Sequence, residues 1–275
     1  MKPEDYIEPR CLLCDPPYGQ VPEVKPVPQQ RIIQKMDEYM SQRDYEGAER
    51  HLLYWLEEAK LGQDLKGQLM ICNELTGHYR KTNDKDKAFL WGQEALKLLT
   101  LLDMENSISA GTTYVNVATA CNAFGENERA MELFEKARAV YESTSMTRPD
   151  LLGGLYNNMA LTCVACKRFD EAFVLYDKAL VMMEKVESGV LEQAITYLNM
   201  ANAVEDELGM EAGEERICQY LDRAQELLDT PSVKRDGYYA YVCEKCAPVF
   251  DYYGYFLAGR DLAQRAEEIY EGARD

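Results

Sequence analysis

Three asparagines recur at a nearly constant spacing in the middle of the chain. A Tyr-x-Asn-x-Ala frame places them at Asn116, Asn158 and Asn199, and Asn157 and Asn202 accompany them. A carboxamide offers both a donor and an acceptor, so a row of amides can hydrogen-bond an extended peptide backbone without requiring one sequence. The alternative is that these amides cap or bridge neighbouring helices within the fold.

Two Cys-x-x-Cys pairs, one near each end of the chain, could supply a second kind of chemistry. They comprise Cys11, Cys14, Cys243 and Cys246. Four thiolates can hold zinc in tetrahedral geometry. Cys163 and Cys166 have the same spacing inside a helical pattern, where cysteine behaves as a small apolar residue, so packing is the competing interpretation.

Catalytic motifs are not recognisable in the sequence. His51 and His78 are the two histidines, and neither lies in a nucleophile motif. The chain has no glycine-rich phosphate loop. Carboxylate pairs such as Glu57-Glu58 and Glu267-Glu268 are adjacent in sequence, so they point in different directions on a helix and are typical of a solvated surface. We therefore expect a protein that is not an enzyme.

The asparagine frame belongs to a longer repeat, which predicts the elements that position it. Alanines keep the same step as the asparagines, with a slightly longer final step: Ala130 and Ala172, Ala137 and Ala179, then Ala224. Apolar residues within each unit recur at intervals of three and four, which is the helical period. Turn-forming residues separate the two halves of the third and fourth units at 124–127 and 167–170. A repeat of this length predicts a solenoid of about six units, with about twelve helices between residues 29 and 273.

Two irregularities are expected towards the C-terminus. The fifth unit carries a short insertion around 208–213, before Tyr220. Pro248 falls within the first helix of the sixth unit, where the missing backbone donor should kink the helix.

The pattern resembles the tetratricopeptide repeat, most closely in the third and fourth units. In the second unit the family's positions are matched by Cys72, Leu75, Thr76, Tyr79, Ala88 and Ala95. The step between units, roughly 42 residues, is longer than the usual repeat and is similar to the long repeats of kinesin light chains and of bacterial peptide-sensing regulators. The resemblance implies an all-α, right-handed α-solenoid of about six helix pairs.

The resemblance also implies that the repeated asparagine position faces a concave groove. The groove residues expected on this basis are Asn116, Asn157, Asn158, Asn199, Asn202, Thr112 and Thr119. The carboxylate clamp of some chaperone-associated repeats needs a Lys or Arg one turn before the asparagine. Thr112, Gly154 and Ile195 stand there, so we do not expect that subtype.

Seven of the ten prolines lie in the first 30 residues, which predicts an extended, proline-rich N-terminal arm over 1–30 and a tetratricopeptide solenoid over 31–273. At full extension the part of the arm after Cys14 could span about 56 Å. That length just allows the arm to reach the last unit and complete a zinc site, provided that the arm lies along the groove.

Composition narrows the classes of partner. The net charge of −18 argues against nucleic acid and favours neutral or basic protein or peptide partners. No apolar run is long enough for a membrane span, no secretion signal is recognisable, and the odd number of cysteines fits a reducing compartment, so we expect a cytoplasmic protein.

Three hypotheses follow for the function. The first is a scaffold that binds an extended peptide in the groove and needs no cofactor. The second is a zinc- or thiol-dependent sensor that fastens the arm to the last unit. The third is a peptide-sensing regulator that acts through a separate output partner. Oligomerisation is also possible through tyrosines near the C-terminus, whose alternative role is to cap the last unit: Tyr238, Tyr239, Tyr241, Tyr252, Tyr253 and Tyr255.

Overall fold

The computed structural model describes residues 23–272, and all regular secondary structure in this range is α-helical. The helices are α1 (Gln29–Ser41), α2 (Tyr45–Leu61), α3 (Leu65–Lys81), α4 (Lys85–Leu101), α5 (Ile108–Ala123), α6 (Asn127–Glu142), α7 (Pro149–Ala165), α8 (Phe169–Met183), α9 (Val190–Leu208), α10 (Met210–Leu228), α11 (Gly237–Tyr252) and α12 (Phe256–Gly272). Residues 1–22, which hold most of the predicted arm, lie outside the described range.

The twelve helices form six consecutive pairs, here called units 1 to 6. A short turn joins the two helices of each unit, and longer connections join most units to the next. The main contacts are within pairs, between each pair and the next, and between odd-numbered helices of successive units. The predicted all-α solenoid of about six helix pairs is therefore confirmed.

The turn inside each unit repeats a left-handed backbone conformation. A positive φ occurs once in each of these six turns, at Arg43, Asn83, Gly125, Lys167, Gly209 and Gly254, so these positions follow the step of the repeat. A residue of this conformation at a helix C-terminus lets the chain reverse while its backbone satisfies the last carbonyls. Asp44 and Asp84 then cap the following helices by accepting backbone N–H bonds.

Small residues allow the two helices of a unit to approach closely. Ala137, Ala179 and Ala224 are completely buried at equivalent places in the second helices of units 3 to 5. Larger residues such as Phe134 and Tyr176 fill the space beside them and are also completely buried. Enlarging one of these alanines would overpack the contact at a cost of about 1–3 kcal/mol.

The core runs along the solenoid without a single centre. One cluster of buried side chains extends from Val27 to Ala203, and a second extends from Leu191 to Ala266. The two clusters overlap in unit 5. The buried side chains of that unit therefore connect the first cluster with the core of unit 6.

The insertion in unit 5 lengthens its helices. Both α9 and α10 have 19 residues, and the single residue Gly209, with a φ of 82°, turns the chain between them. Helix α11 continues through Pro248 from Gly237 to Tyr252.

The described end of the arm runs from the start of α1 towards the end of α2. The Lys25 N–H donates to the Gly62 carbonyl at 2.9 Å, and the Val27 N–H donates to the Asp64 carboxylate at 2.9 Å. Residues 25–27 are thus attached to the connection between units 1 and 2.

Candidate functional site

The odd-numbered helices form the inner row of the solenoid. Contacts join α3 to α5, α5 to α7, α7 to α9 and α9 to α11, whereas the even-numbered helices contact chiefly odd-numbered helices next to them in the chain. A stack whose odd-numbered helices lie closer together than its even-numbered helices curves towards the odd row. Asn116 on α5, Asn158 on α7 and Asn199 on α9 therefore belong to the inner row.

One backbone hydrogen bond defines a common position in five of the six units. In each of these units, one carbonyl near the end of the first helix accepts a hydrogen bond from the backbone N–H five residues later in the chain. The accepting residues are Tyr39, Tyr79, Cys121, Cys163 and Phe250. The residues five places earlier, together with Asn199 in unit 5, form a row that we call the ladder: Gln34, Glu74, Asn116, Asn158, Asn199 and Lys245.

The ladder contains three members that the Tyr-x-Asn-x-Ala frame does not identify. Glu74 lies one full repeat before Asn116, on the same step as the asparagines, but Cys72 replaces the tyrosine of the frame. Gln34 and Lys245 are displaced from the constant step by the shorter first unit and the longer fifth unit. The ladder is therefore neutral in the middle, acidic in unit 2 and basic in unit 6.

Several amides bridge neighbouring inner helices. The Asn199 Nδ2 donates to the Asn157 Oδ1 at 3.2 Å, which joins unit 5 to unit 4. Other bonds between neighbouring inner helices, which the sequence pattern did not reveal, run from the Asn73 Nδ2 to the Thr113 Oγ1 at 2.9 Å and from the Asn122 Nδ2 to the Thr162 Oγ1 at 3.0 Å. For these residues the bridging role accounts for at least one of their hydrogen-bonding groups.

Two ladder asparagines have no such partner. Among residues 23–272, the side chains of Asn116 and Asn158 form no hydrogen bond to protein, and both are partly exposed. The Asn202 Oδ1 instead lies 2.9 Å from the Tyr253 hydroxyl, whose single proton also has the Glu205 carboxylate within hydrogen-bond distance. Amides that the fold itself leaves free, in register on adjacent inner helices, have their donors and acceptors available for a bound chain.

The two predicted groove threonines are used within the fold. The Thr112 hydroxyl lies 2.9 Å from the Tyr141 hydroxyl, and the Thr119 hydroxyl donates to the Val115 carbonyl of its own helix at 2.7 Å. Both are half-buried, and Thr112 also lines a cavity beside Asn116.

That cavity lies across the inner face of units 1 to 3 and has a volume of about 330 Å³. Its lining comes from the start of α1, from α3, from the connection before α5 and from α5: Gln29, Lys66, Leu69, Met70, Asn73, Glu74, Met104, Ser109, Thr112 and Asn116. We call it the Glu74 cavity. Burial raises the pKa of the Glu74 carboxyl, and the nearby Asp37 carboxylate raises it further.

The first and last units contact each other and bring the ends of the solenoid together. The Arg43 guanidinium lies 2.9 Å from the Glu244 carboxylate and 4.8 Å from the centre of the Tyr270 ring. The Lys81 ammonium of unit 2 lies 5.0 Å from the centre of the Tyr241 ring. We call this contact the junction. A cavity of about 720 Å³ opens between its two sides.

The C-terminal tyrosines mostly bond within the chain. The hydroxyls of Tyr252 and Tyr253 both donate to the Glu205 carboxylate of unit 5, at 2.6 and 2.8 Å. The Tyr255 hydroxyl donates to Asp222 at 2.9 Å, and Tyr238 donates to Glu192. These bonds attach unit 6 to unit 5, as a capping unit requires.

The second cysteine pair lies in the core of unit 6. Cys243 and Cys246 are buried, and burial raises the pKa of Cys246 to about 12, which favours the neutral thiol over the thiolate that zinc needs. Cys11 and Cys14 lie outside the described residues, so the four-sulfur site stays a prediction. Between residues 23 and 272 no group of three or more metal-ligating side chains comes together.

Both histidines lie against protein atoms. The His51 Nε2 is 3.3 Å from the Ile32 carbonyl, and the pKa of His51 is lowered, chiefly by burial. His78 is buried beside Tyr79, with the ring centres 5.1 Å apart, and burial lowers its pKa as well. Over the described range no helix is both long enough and apolar enough to cross a bilayer.

Comparisons with known proteins agree with this architecture. A tetratricopeptide repeat family model matches residues 153–188, which cover most of α7 and all of α8. The crystal structure of BtubC (BKLC) from P. vanneervenii superposes with a TM-score of 0.53 at 18% identity, covering 90% of this chain and 93% of that one. No curated protein sequence matches the chain significantly.

A second solved structure has similar repeats. It is a Podosopora anserina protein described as having kinesin light chain nearly identical TPR-like repeats, with a TM-score of 0.50 at 16% identity, covering 74% of this chain and 94% of that one. At such identities the likeness concerns the fold. The chain therefore contains a tetratricopeptide repeat in unit 4 and has the fold of a tetratricopeptide protein with long repeats like those of kinesin light chains.

Proposed function

We propose that the protein is a non-enzymatic scaffold that binds an extended segment of a partner protein along its inner face. Tetratricopeptide solenoids are typical of protein–protein interaction, because stacked units create a long concave surface. The observation that carries the proposal is the pair of free amides at Asn116 and Asn158, held in register on α5 and α7. An extended backbone presents N–H and C=O groups that such amides can bond in turn.

The junction adds a geometric condition on the partner. Because units 1 and 2 contact unit 6, the inner face is enclosed along one turn of the solenoid. A segment therefore enters by threading a free end or by opening the junction. The net charge of −18 favours a segment that is neutral or basic.

The proposal is tested by selecting peptides from a displayed random library on the full chain and mapping the bound peptide by hydrogen exchange. We expect slower exchange in α3, α5 and α7 than in the free protein, with little change in α4, α6 and α8. Protection confined to the even-numbered helices, or no selected peptide at all, would contradict the inner-face assignment.

A further inference from the structure

The Glu74 cavity differs from the rest of the inner face because its ladder residue carries a negative charge. Glu74 and Asn116 occupy equivalent places on the adjacent helices α3 and α5, and both line the cavity. A segment that bonds the amides of Asn116 and Asn158 would therefore pass beside Glu74. The cavity is large enough for one long side chain of that segment, since small-molecule sites begin at about 300 Å³.

The acceptors in this cavity are not satisfied by the chain itself. Within residues 23–272, Glu74 has no salt bridge and no hydrogen bond, although Lys66 lines the same cavity. The neighbouring Asn73 gives its Nδ2 to Thr113, and its Oδ1 is buried without a hydrogen-bond partner. The Glu74 carboxylate is thus available to a cationic donor, and the buried Asn73 Oδ1 adds a partial negative charge beside the cavity.

Burial makes the unpaired carboxylate costly in the free protein. The pKa of Glu74 is raised by burial and by Asp37, so the charged form is disfavoured by its surroundings. A positive charge on a partner side chain would instead favour the charged form of Glu74, because charge-assisted hydrogen bonds are stronger than neutral ones.

The remaining walls suit an aliphatic stem. Leu69, Met70 and Met104 are apolar and line the same cavity as Glu74. Lysine and arginine pack their methylene stems on apolar surfaces and extend the charged group beyond them. A neutral polar side chain would gain the contact with the walls but would leave the Glu74 charge unpaired.

We propose that the Glu74 cavity binds a lysine or arginine side chain of the segment lying on the inner face, with the Glu74 carboxylate as the acceptor of its charged group. This inference rests on the proposed function and gives the partner segment a basic residue at one defined place. The ladder thereby selects for charge in unit 2 and accepts any sequence in units 3 and 4.

The first test uses the peptides selected on the full chain. We expect one position to be lysine or arginine in most of them, and replacement of that residue by norleucine to weaken binding at least tenfold. Glu74→Gln should weaken the parent peptide to a similar degree and leave the norleucine peptide unchanged. Glu132→Gln, at an exposed site on α6, is the matched control and should change neither affinity.

The outcomes separate the two proposals. Selected peptides that protect the inner helices but show no preference for a basic residue would overturn the cavity assignment and leave the scaffold proposal standing. A basic preference that persists in Glu74→Gln would also overturn it. The absence of any selected peptide would count against the scaffold proposal itself.

A second measurement does not depend on peptide selection. N-acetyl-arginine amide is titrated into the full chain and followed by the NMR signals of the methionine methyl groups. We expect saturable shifts that include Met70 and Met104, at millimolar concentration, and at least tenfold weaker binding of the neutral citrulline analogue. Equal shifts with both compounds, or shifts unchanged by Glu74→Gln, would contradict the proposal that the cavity selects a positively charged side chain.

Discussion

The middle of the solenoid and its junction are held together by different means. In units 3 and 4, buried alanines, tyrosines and Phe134 pack helix against helix, and amides connect neighbouring inner helices. At the junction, units 1 and 2 meet unit 6 through the partly exposed side chains of Arg43, Lys81 and Glu244. The middle is therefore a continuous packed structure, whereas the junction is a contact between charged and aromatic groups that water and salt can reach.

This difference has a consequence for binding. An exposed ion pair contributes about 0–1 kcal/mol, and an exposed cation–π contact about 0.5–1 kcal/mol. The three contacts at the junction together are weak compared with the core of any unit. We therefore expect the solenoid to open at the junction more readily than it unfolds, while the inner face of units 3 and 4 keeps its shape.

The largest expected effect comes from breaking the packed middle. Phe134→Ala removes a completely buried aromatic ring from unit 3 and should lower the free energy of unfolding by about 3–5 kcal/mol. Chemical unfolding followed by circular dichroism measures this loss. A loss below about 1 kcal/mol would show that unit 3 is not tightly packed.

An intermediate effect is expected when the charge in the Glu74 cavity is removed. Glu74→Gln should raise the midpoint of thermal unfolding at pH 7, and each kcal/mol gained corresponds to about 2–4 °C in a chain of this size. The pKa of Glu74 is raised in the folded state, so its charged form destabilises the fold above that pKa.

The pH dependence provides the control for this substitution. As the pH falls towards the ordinary pKa of a glutamate, the parent carboxyl becomes protonated, and its disadvantage relative to glutamine should disappear. A difference between parent and variant that grows as the pH falls would mean that Glu74 is stabilised as a carboxylate, contrary to the burial described above.

At the junction we expect a similarly small effect on stability but a visible effect on shape. The double substitution Arg43→Ala and Lys81→Ala should change the free energy of unfolding by no more than about 2 kcal/mol, because it removes only exposed contacts. It should increase the radius of gyration measured by small-angle X-ray scattering.

High salt should have the same effect on the parent protein, since the Debye length falls to about 3 Å at 1 M. Lys136→Ala, at an exposed site on α6, is the matched control and should leave the scattering curve unchanged. An unchanged radius in the double variant would mean that the ends are held together by the stack itself.

The repeat in the sequence predicts the helices of the fold and the way they pair. The constant step of the asparagines and alanines is sufficient to place twelve helices in six pairs, because each unit packs only against its neighbours. It also contains the signal for Glu74, which lies one full repeat before Asn116 but is a different residue type in a frame without its tyrosine. The repeat position of Glu74 therefore identifies it as a ladder residue, although its residue type does not.

The repeat pattern of the sequence does not predict the junction or the hydrogen bonds that bridge the inner helices. Arg43 and Glu244 are separated by 201 residues, and their contact depends on how much each unit rotates against the next, which the period does not specify. Likewise, the sequence does not show that Asn199 bonds Asn157 while Asn116 stays free, because that choice depends on small shifts between adjacent helices.

The central claim is that the free amides of the inner face bind an extended segment. It is tested most directly by the affinity of a selected peptide for the double variant Asn116→Ala and Asn158→Ala, measured by calorimetry beside the exposed control Asn106→Ala. Two lost hydrogen bonds of about 1 kcal/mol each predict at least tenfold weaker binding for the double variant and no weakening for the control. Equal affinities in the parent, the double variant and the control would contradict the claim.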